Sequence, residues 1–278
     1  MIFRSLTATF SVAVLLFGLG AANTAAAPDP GTPDPAGPLG FKLVRGTVVP
    51  KEAVPESVDP QRIVFRFRAS RPVELSIRIV KLGEGRTVRR FRTGPRRPGR
   101  WQRQAWDGLD GKGRLVGAGK YRVLVGPAGG PLRRLSRLRL HRYRFPIAGP
   151  HGTRGAVGEF GADRVDNRTH EGFDATGACG TPLVAMRAGI VLKSAYDPEL
   201  KGNYVVYKGR SERRVYLYAH MERPAPVRVG QKIRAGRRLG TIGQTGNAAG
   251  TPCHLHIEMR SRGRLLNPEP VLNGALNP

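Results

Sequence analysis

The sequence predicts an all-β protein in two parts, an amino-terminal sandwich followed by an antiparallel β-sheet domain. Three observations support this prediction. The 278 residues include 37 Gly and 23 Pro, a composition typical of many turns and short strands. Several segments alternate apolar and polar residues, as half-buried strands do. We find no helical hydrophobic period of useful length, so a helical bundle is excluded.

The composition sets limits on the class of protein. Hydrophobic residues make up 40% of the chain, enough to form a core, so wholesale disorder is excluded. Only two cysteines are present, which excludes both a disulfide-dense mini-fold and a four-cysteine zinc site. Lys and Arg number 47 against 20 Asp and Glu, and the net charge of +27 indicates an anionic partner or surface.

The first residues predict export. Residues 1–27 have the features of a signal peptide: Arg4, an apolar run from Leu6 to Ala22, and small residues up to Ala27. The alternative is an uncleaved segment that anchors the chain in a membrane. Residues 28–40 are a Pro/Gly-rich linker. The expected location is therefore extracytoplasmic, either secreted or in the cell envelope.

Export changes the expected chemistry of the two cysteines. Outside the cytoplasm, Cys179 and Cys253 are expected to form a disulfide, and closing so long a loop stabilises a fold by about 4 kcal/mol. Two separate buried thiols, or a thiolate that binds metal, are the alternatives.

Residues 41–143 are predicted to form the sandwich. Its strands are expected in four alternating segments: 63–68, 73–79, 121–125 and 135–140. The stretch from Trp106 to Val123 resembles the immunoglobulin-like repeat of flagellar hook-capping (FlgD-type) proteins, and this resemblance implies an immunoglobulin-like sandwich.

The sandwich carries most of the excess charge. Residues 41–150 have a net charge of about +20. This charge suits anionic wall polymers or a membrane surface, although a merely soluble arginine-rich surface would look the same. Nucleic acid is a weaker alternative for an exported chain, despite the arginines that cluster near Phe91 and Trp101. The sequence leaves the oligomeric state open.

Four of the six histidines fall in three clusters that could carry chemistry. His254 and His256 alternate with apolar residues on a predicted strand, which places them and Glu258 on one face and Cys253 on the other. The same alternation predicts that Tyr216, Tyr218 and His220 share a face of a second strand. The third cluster pairs His170 with Asp174, a spacing unlike the helical zinc motif with two histidines. Two imidazoles and one carboxylate are sufficient ligands for a catalytic zinc.

Residues 145–278 resemble the lysostaphin/LytM-type zinc endopeptidases that cut bacterial peptidoglycan. The elements H-x(3)-D, Y-x-H and H-x-H of that family match His170 to Asp174, Tyr218 to His220, and His254 to His256. Further matches are Gly180–Ala185, Gly202–Val206, Val229–Ile233, Gly243–Asn247 and Leu266–Pro268. Cys253 departs from the pattern, since many relatives have Pro there.

The resemblance implies the roles of five side chains. It assigns one Zn²⁺ per chain to His170, Asp174 and His256, and catalysis to His220 and His254. Which of these two histidines is the base stays open. Glu171 and Glu258 are expected at the surface or outside the ligand set.

The function implied by the resemblance is that of an exported zinc metalloendopeptidase. It would hydrolyse peptide bonds of peptidoglycan with a metal-activated water, and peptidoglycan peptides would be its substrates. The alternative is a non-hydrolytic protein that uses the same fold to bind the cell wall or to regulate an amidase. The sequence leaves open which peptide bond is cut.

Overall fold

The computed structural model describes residues 39–277, apart from the side chain of Asp166. The predicted signal peptide and residues 28–38 of the predicted linker lie outside these residues. The chain is nearly all β, with one short α-helix, and this confirms the predicted fold class. Within the described range, no helix is long and apolar enough to cross a membrane.

The amino-terminal sandwich consists of two sheets that enclose one core. Its strands are β1 (Lys42–Val49), β2 (Glu52–Ala53), β3 (Gln61–Arg68), β4 (Val73–Lys81), β5 (Thr87–Arg96), β6 (Gln102–Trp106), β7 (Gly119–Pro127) and β8 (Arg133–Leu140). One sheet has the order β1-β3-β6, and the other has the order β2-β8-β7-β4-β5. All pairs are antiparallel except β2 with β8. The immunoglobulin-like assignment of this sandwich stays a prediction.

Every second side chain of the sandwich strands points inward, and these side chains form its core. Ile63, Phe65 and Phe67 point inward from β3, and Leu75 and Ile77 do so from β4, all of them at most 1% exposed. Because successive side chains of a strand point to opposite faces, the residues between them reach the surface. All four predicted strand segments of the sandwich fall on β3, β4, β7 and β8.

The carboxy-terminal domain is formed by a large antiparallel sheet. Its elements are β9 (Gly152–Thr153), β10 (Phe173–Thr176), β11 (Pro182–Val184), β12 (Gly189–Asp197), β13 (Gly202–Gly209), β14 (Arg214–Met221), β15 (Lys232–Ile233), β16 (Arg238–Thr241), β17 (His254–Ser261), β18 (Arg264–Leu266) and α1 (Glu269–Asn273). The main sheet has the order β15-β12-β13-β14-β17-β10-β9, with β18 paired to β17, and β11 pairs separately with β16. The strands β14, β17 and β10, which carry His220, His254, His256 and Asp174, are therefore direct neighbours in this sheet.

A second core packs against one face of the main sheet. Leu255, Ile257 and Met259 of β17 are fully buried there, together with Tyr216 and Tyr218 of β14. Because these apolar side chains alternate with His254, His256 and Glu258, the polar side chains of β17 face away from this core.

A disulfide joins Cys179 to Cys253, with the two Cα atoms 5.4 Å apart. Cys253 is buried in the same core as Leu255 and directly precedes β17. The bond thus ties the start of the His-x-His strand to a residue 74 positions earlier in the chain. This disulfide was expected from the sequence, and it lies behind the polar face of β17.

The sandwich and the carboxy-terminal domain are joined by backbone contacts near Ala235. Ser57 forms a parallel bridge with Ala235, where Val58 N donates to Ala235 O at 2.9 Å and Ala235 N donates to Glu56 O at 3.2 Å. The buried carboxylate of Glu56 also accepts a hydrogen bond from Arg210.

Candidate metal centre

Three side chains from distant parts of the chain meet at the polar face of β10 and β17. Asp174 and His256 are direct cross-strand partners, and cross-strand partners share a face. His170 lies four residues before Asp174, and its ring approaches from the preceding loop. His170 Nε2 is 2.9 Å from His256 Nδ1, and Asp174 Oδ1 is 3.0 Å from each of these nitrogens.

The hydrogen bonds around this trio orient lone pairs toward one point. His170 Nδ1 donates to the carbonyl oxygen of Glu159 at 2.7 Å, which leaves Nε2 as the acceptor. His256 Nε2 lies 3.5 Å from Glu258 Oε1, a contact that favours the proton on Nε2 and the lone pair on Nδ1. Two nitrogens and one carboxylate oxygen therefore face one another as acceptors.

This donor set fits a divalent cation. Three acceptors in mutual contact repel one another unless a cation lies between them, and two imidazoles with one carboxylate are ligands that zinc takes at catalytic sites. The outer nitrogens of both imidazoles are held by oxygen atoms, as is usual for histidines that bind metal. The chemistry of His170, Asp174 and His256 thus fits a zinc ion.

The pKa values of the trio follow from these contacts. Burial alone would raise the pKa of Asp174, but its close contacts with the imidazoles of His170 and His256 hold this pKa well below its usual range. Burial would lower the pKa of His256, yet its contacts with Asp174 and Glu258 raise it. Asp174 is therefore ionised at neutral pH.

Two more imidazoles border the trio. The ring centroids of His220 and His254 are 5.0 Å apart, and that of His220 is 5.8 Å from His256. His254 Nδ1 donates to the carbonyl of Pro252 and His220 Nδ1 to that of Thr245, each at 2.8 Å. In both rings Nε2 is consequently the unprotonated nitrogen.

Both of these rings are held in their neutral form. Burial, with a smaller contribution from His256, lowers the pKa of His220 to about 4. Burial also lowers the pKa of His254, and Arg154 acts in the same direction. Near neutral pH, each ring can therefore accept a proton at Nε2.

The prediction that Tyr216, Tyr218 and His220 share a face was wrong. Tyr218 pairs with Ile257 and lies in the core, whereas His220 lies beside His254 and His256 on the opposite face. The physical reason is the backbone of His220, which has φ +59° rather than an extended conformation, so that alternation ends there. No sequence pattern signals a left-handed histidine at the end of a strand.

Glu171 and Glu258 lie outside the trio. Arg260 bonds to Glu258 at 3.0 Å and to Glu171 at 2.7 Å, so both carboxylates are occupied by one guanidinium group. Glu258 is buried and faces the outer nitrogen of His256, while Glu171 is half exposed.

Sequence reasoning missed two arginines at this site. Arg154 Nη1 lies 3.3 Å from Asp174 Oδ2, and Arg164 Nη2 lies 3.5 Å from the same oxygen. Neither arginine belongs to a motif that the sequence singles out, and in so basic a chain single arginines carry no signal.

Comparison with known proteins places this site in a family. Residues 168–268 match the model of Peptidase family M23, and this range contains all five histidine and aspartate side chains described above. The peptidoglycan DD-endopeptidase ShyC of Vibrio cholerae is 36% identical over 104 residues, which are 37% of this chain and 23% of that protein.

Two further proteins are similar to the carboxy-terminal part. The murein hydrolase activator NlpD of Escherichia coli is 32% identical over 128 residues, 45% of this chain and 30% of that protein. The crystallised catalytic domain of the antimicrobial peptidase lysostaphin from Staphylococcus simulans is 23% identical, covers 45% of this chain and 92% of that domain, and has a TM-score of 0.38.

The two curated relatives share only a limited segment with this chain, which spans less than a third of the length of either one. The matched segment nevertheless contains every motif of the predicted resemblance that carries a site residue. Residues 168–268 therefore form a Peptidase family M23 domain, as the resemblance to lysostaphin/LytM-type endopeptidases predicted.

Proposed function

We propose that this protein is an exported, zinc-dependent endopeptidase that hydrolyses peptide bonds in bacterial peptidoglycan. The observation that carries the proposal is the convergence of three acceptor atoms of His170, Asp174 and His256 beside two neutral imidazoles. The printed names of relatives such as ShyC support peptidoglycan as the substrate. Arg4 and the apolar run from Leu6 to Ala22, which have the features of a signal peptide, support export.

His170, Asp174 and His256 would hold the zinc ion. When bound, zinc acts as a Lewis acid that polarises a carbonyl and makes water a nucleophile near neutral pH. Asp174 would contribute the negative charge of the ligand set, and the outer contacts of both histidines would keep their free nitrogens available to the ion.

The two remaining imidazoles would move protons. Nε2 of His220 and Nε2 of His254 are both unprotonated near neutral pH and both border the trio. One of them can remove the proton of the attacking water and pass a proton to the leaving amine, and the other, once protonated, can stabilise the oxyanion. Their hydrogen bonds to Thr245 and Pro252 hold both rings in place for this work.

Purified protein tests the proposal directly. It should release peptide fragments from isolated peptidoglycan, and hydrolysis should be lost on chelation, return with Zn²⁺ and be absent from His256→Ala. His141→Ala is the matched control, since His141 contacts Glu52 in the sandwich and should leave hydrolysis unchanged. Hydrolysis that persists in metal-free protein would overturn the proposal.

A non-hydrolytic role is the second candidate, because the similar protein NlpD is named as a murein hydrolase activator. In this chain all five expected side chains are present and close together, which favours hydrolysis. Elemental analysis combined with a wall digest separates the two functions. Binding to walls without zinc and without cleavage would favour the activator.

The sandwich offers a second surface for the wall. On the outer face of its larger sheet, Arg78 pairs across strands with Arg90, and Arg122 pairs with Arg137. Like charges that face each other across strands destabilise a sheet, and none of these four arginines has an acidic partner among the described residues. We propose that this face binds an anionic wall polymer, whose charges would offset the repulsion.

Two sets of four substitutions with equal charge loss test this surface. Arg92 and Arg139 are exposed two residues after Arg90 and Arg137 on the same strands, β5 and β8. These four arginines changed to Gln should weaken binding to walls, and removal of the anionic polymers from the walls should have the same effect. The control set is Arg62, Arg66, Arg68 and Arg103 on the other sheet. Equal losses in both sets, or equal binding to anionic vesicles or duplex DNA, would contradict a specific polymer site.

A further inference from the structure

Arg154 and Arg164 lie beside the proposed zinc ligands, yet neither takes part in the proposed zinc binding or proton transfer. Arg154 Nη1 is 3.3 Å from Asp174 Oδ2 and 3.5 Å from His254 Nε2. The side chains of Arg154 and Arg164 are 29% and 27% exposed, so both guanidinium groups border the site and also reach solvent.

The two arginines differ in how many donors they have left. Arg164 Nη1 donates to the carbonyl of Val157 at 2.6 Å, so this guanidinium group is anchored at both ends. Arg154 uses only Nη1, and its Nε and Nη2 have no partner in the part of the chain that the structure describes. Arg154 therefore presents two free donors next to His254.

The backbone of Arg154 is held in place. Its N–H donates to the carbonyl of Asp174 at 3.2 Å. Gly158 packs tightly on it, because a Cβ atom built at Gly158 would lie 2.6 Å from Arg154 Cβ and 3.1 Å from Asp174 Cβ. The free donors thus belong to a pre-positioned side chain, and a positioned guanidinium fork matches the two oxygens of a carboxylate.

The charge balance on this side of the site also favours an anion. Asp174 is the one carboxylate in contact with these arginines among the described residues, since Glu171 and Glu258 bind Arg260. Two guanidinium groups against one carboxylate leave an excess of positive charge here, and a divalent cation held by the trio would add to it. In a partly buried site, such an excess attracts an anionic group of the substrate.

We propose that Arg154, with the added charge of Arg164, forms a carboxylate-binding subsite for the peptide substrate. The subsite would bind a free carboxylate on the residue next to the scissile bond and so select anionic peptides. This inference rests on the proposed endopeptidase function and deepens it. Arg154 touches substrate in this proposal, and Arg164 fixes Asp174 and adds charge.

A pair of synthetic substrates tests the subsite. Cross-linked stem-peptide dimers are prepared with either a free carboxylate or a carboxamide on the residue next to the cross-link. The zinc-loaded wild-type protein should prefer the carboxylate form by about tenfold or more in kcat/KM, as expected for charge-assisted hydrogen bonds. Arg154→Gln should remove this preference, because it should raise KM for the carboxylate peptide about tenfold more than KM for the carboxamide peptide.

Two further variants separate the effect of the guanidinium shape from the effect of charge. Arg154→Lys retains the charge but not the planar fork, and its preference should be intermediate. Arg168→Gln removes the same charge from an exposed residue near His170 and should keep the full preference. Elemental analysis should find equal zinc in all variants, which separates substrate binding from an effect on Asp174.

The contrary outcomes are distinct. A wild-type protein that cuts both peptides equally would overturn the subsite and leave the endopeptidase proposal intact. Equal losses on both peptides in Arg154→Gln would also overturn it, since they would indicate a role at the oxyanion or at Asp174. If neither peptide is cut, the endopeptidase proposal fails. Calorimetric titration of the same two peptides would then still measure the preference for the carboxylate.

Discussion

Gly172 lies directly against the imidazole of His256. A Cβ atom built at Gly172 would be 2.7 Å from His256 Cε1, 2.8 Å from its Nε2 and 2.5 Å from the carbonyl oxygen of Ile257. Gly172 is the middle one of the three residues between His170 and Asp174, and it has to be small because it packs against the third ligand candidate, His256. Only the absence of a side chain lets the loop that carries His170 approach β17 so closely.

We expect Gly172→Ala to weaken metal binding. Distances under 3 Å to a ring and to backbone force a shift, so His256 should turn away from Asp174, with a loss of stability of about 1–3 kcal/mol. Misplaced ligands typically reduce metal affinity by about 10- to 100-fold. Zinc affinity measured by competition with a chelator checks this. Gly94→Ala, where the added atom meets nothing within 4 Å, is the control, and unchanged affinity in Gly172→Ala would contradict the expectation.

His220 and His256 should fail in different ways when they are replaced. His220→Asn keeps a residue type that tolerates the left-handed backbone at φ +59°, but it removes the basic nitrogen. Wall hydrolysis should fall by about 10²- to 10⁴-fold while zinc is retained. His256→Ala should lose zinc as well as hydrolysis. Zinc analysis of both variants distinguishes a catalytic residue from a zinc ligand. Loss of zinc from His220→Asn would argue that His220 is a ligand.

Loss of the disulfide should destabilise the carboxy-terminal domain. Cys179 and Cys253 close a loop of 74 residues, which stabilises a fold by about 4 kcal/mol in the chain-entropy model. The double variant with Ser at both positions should therefore unfold at lower urea concentration than the oxidised wild type. The wild type in reductant is the matched comparison. Equal unfolding midpoints with and without reductant would show that the bond adds no stability.

The contact between Arg210 and Glu56 should stabilise the junction of sandwich and sheet domain. Glu56 is buried, and its Oε2 has no partner among the described atoms, so Arg210 is its one cation. Arg210→Ala should cost about 1–3 kcal/mol, because a buried carboxylate is left unpaired. Adding Glu56→Gln should restore part of this loss. Arg213→Ala, on an exposed residue of the same hairpin, serves as the control in denaturant titrations, and equal effects at Arg210 and Arg213 would argue against the pairing.

Much of the fold could be predicted from short-range patterns. The alternation in β3, β4, β7 and β8 identified the sandwich strands, because side-chain burial follows a period of two. The His-x-His alternation in β17 likewise placed His254 and His256 opposite the core-facing Leu255. These predictions succeeded because each depends only on neighbours along one strand.

The failures have a different physical origin. Alternation placed His220 with Tyr218, but a left-handed backbone turned it to the other face. A local pattern cannot predict this conformation, because it is stabilised by partners such as Thr245, which lies 25 residues away. Arg154 and Arg164 were missed for a similar reason, since their contact with Asp174 depends on how separate segments pack.

Residue types and their spacing were enough to predict the strands and the cysteine pair, and the motifs of the resemblance to lysostaphin/LytM-type endopeptidases named the ligand candidates. Packing alone decided which nitrogens face inward, how His220 reaches the site and which arginines border Asp174. The difference is one of range: strand periodicity is a property of consecutive residues, whereas the charge and geometry of a site come from side chains that only folding brings together.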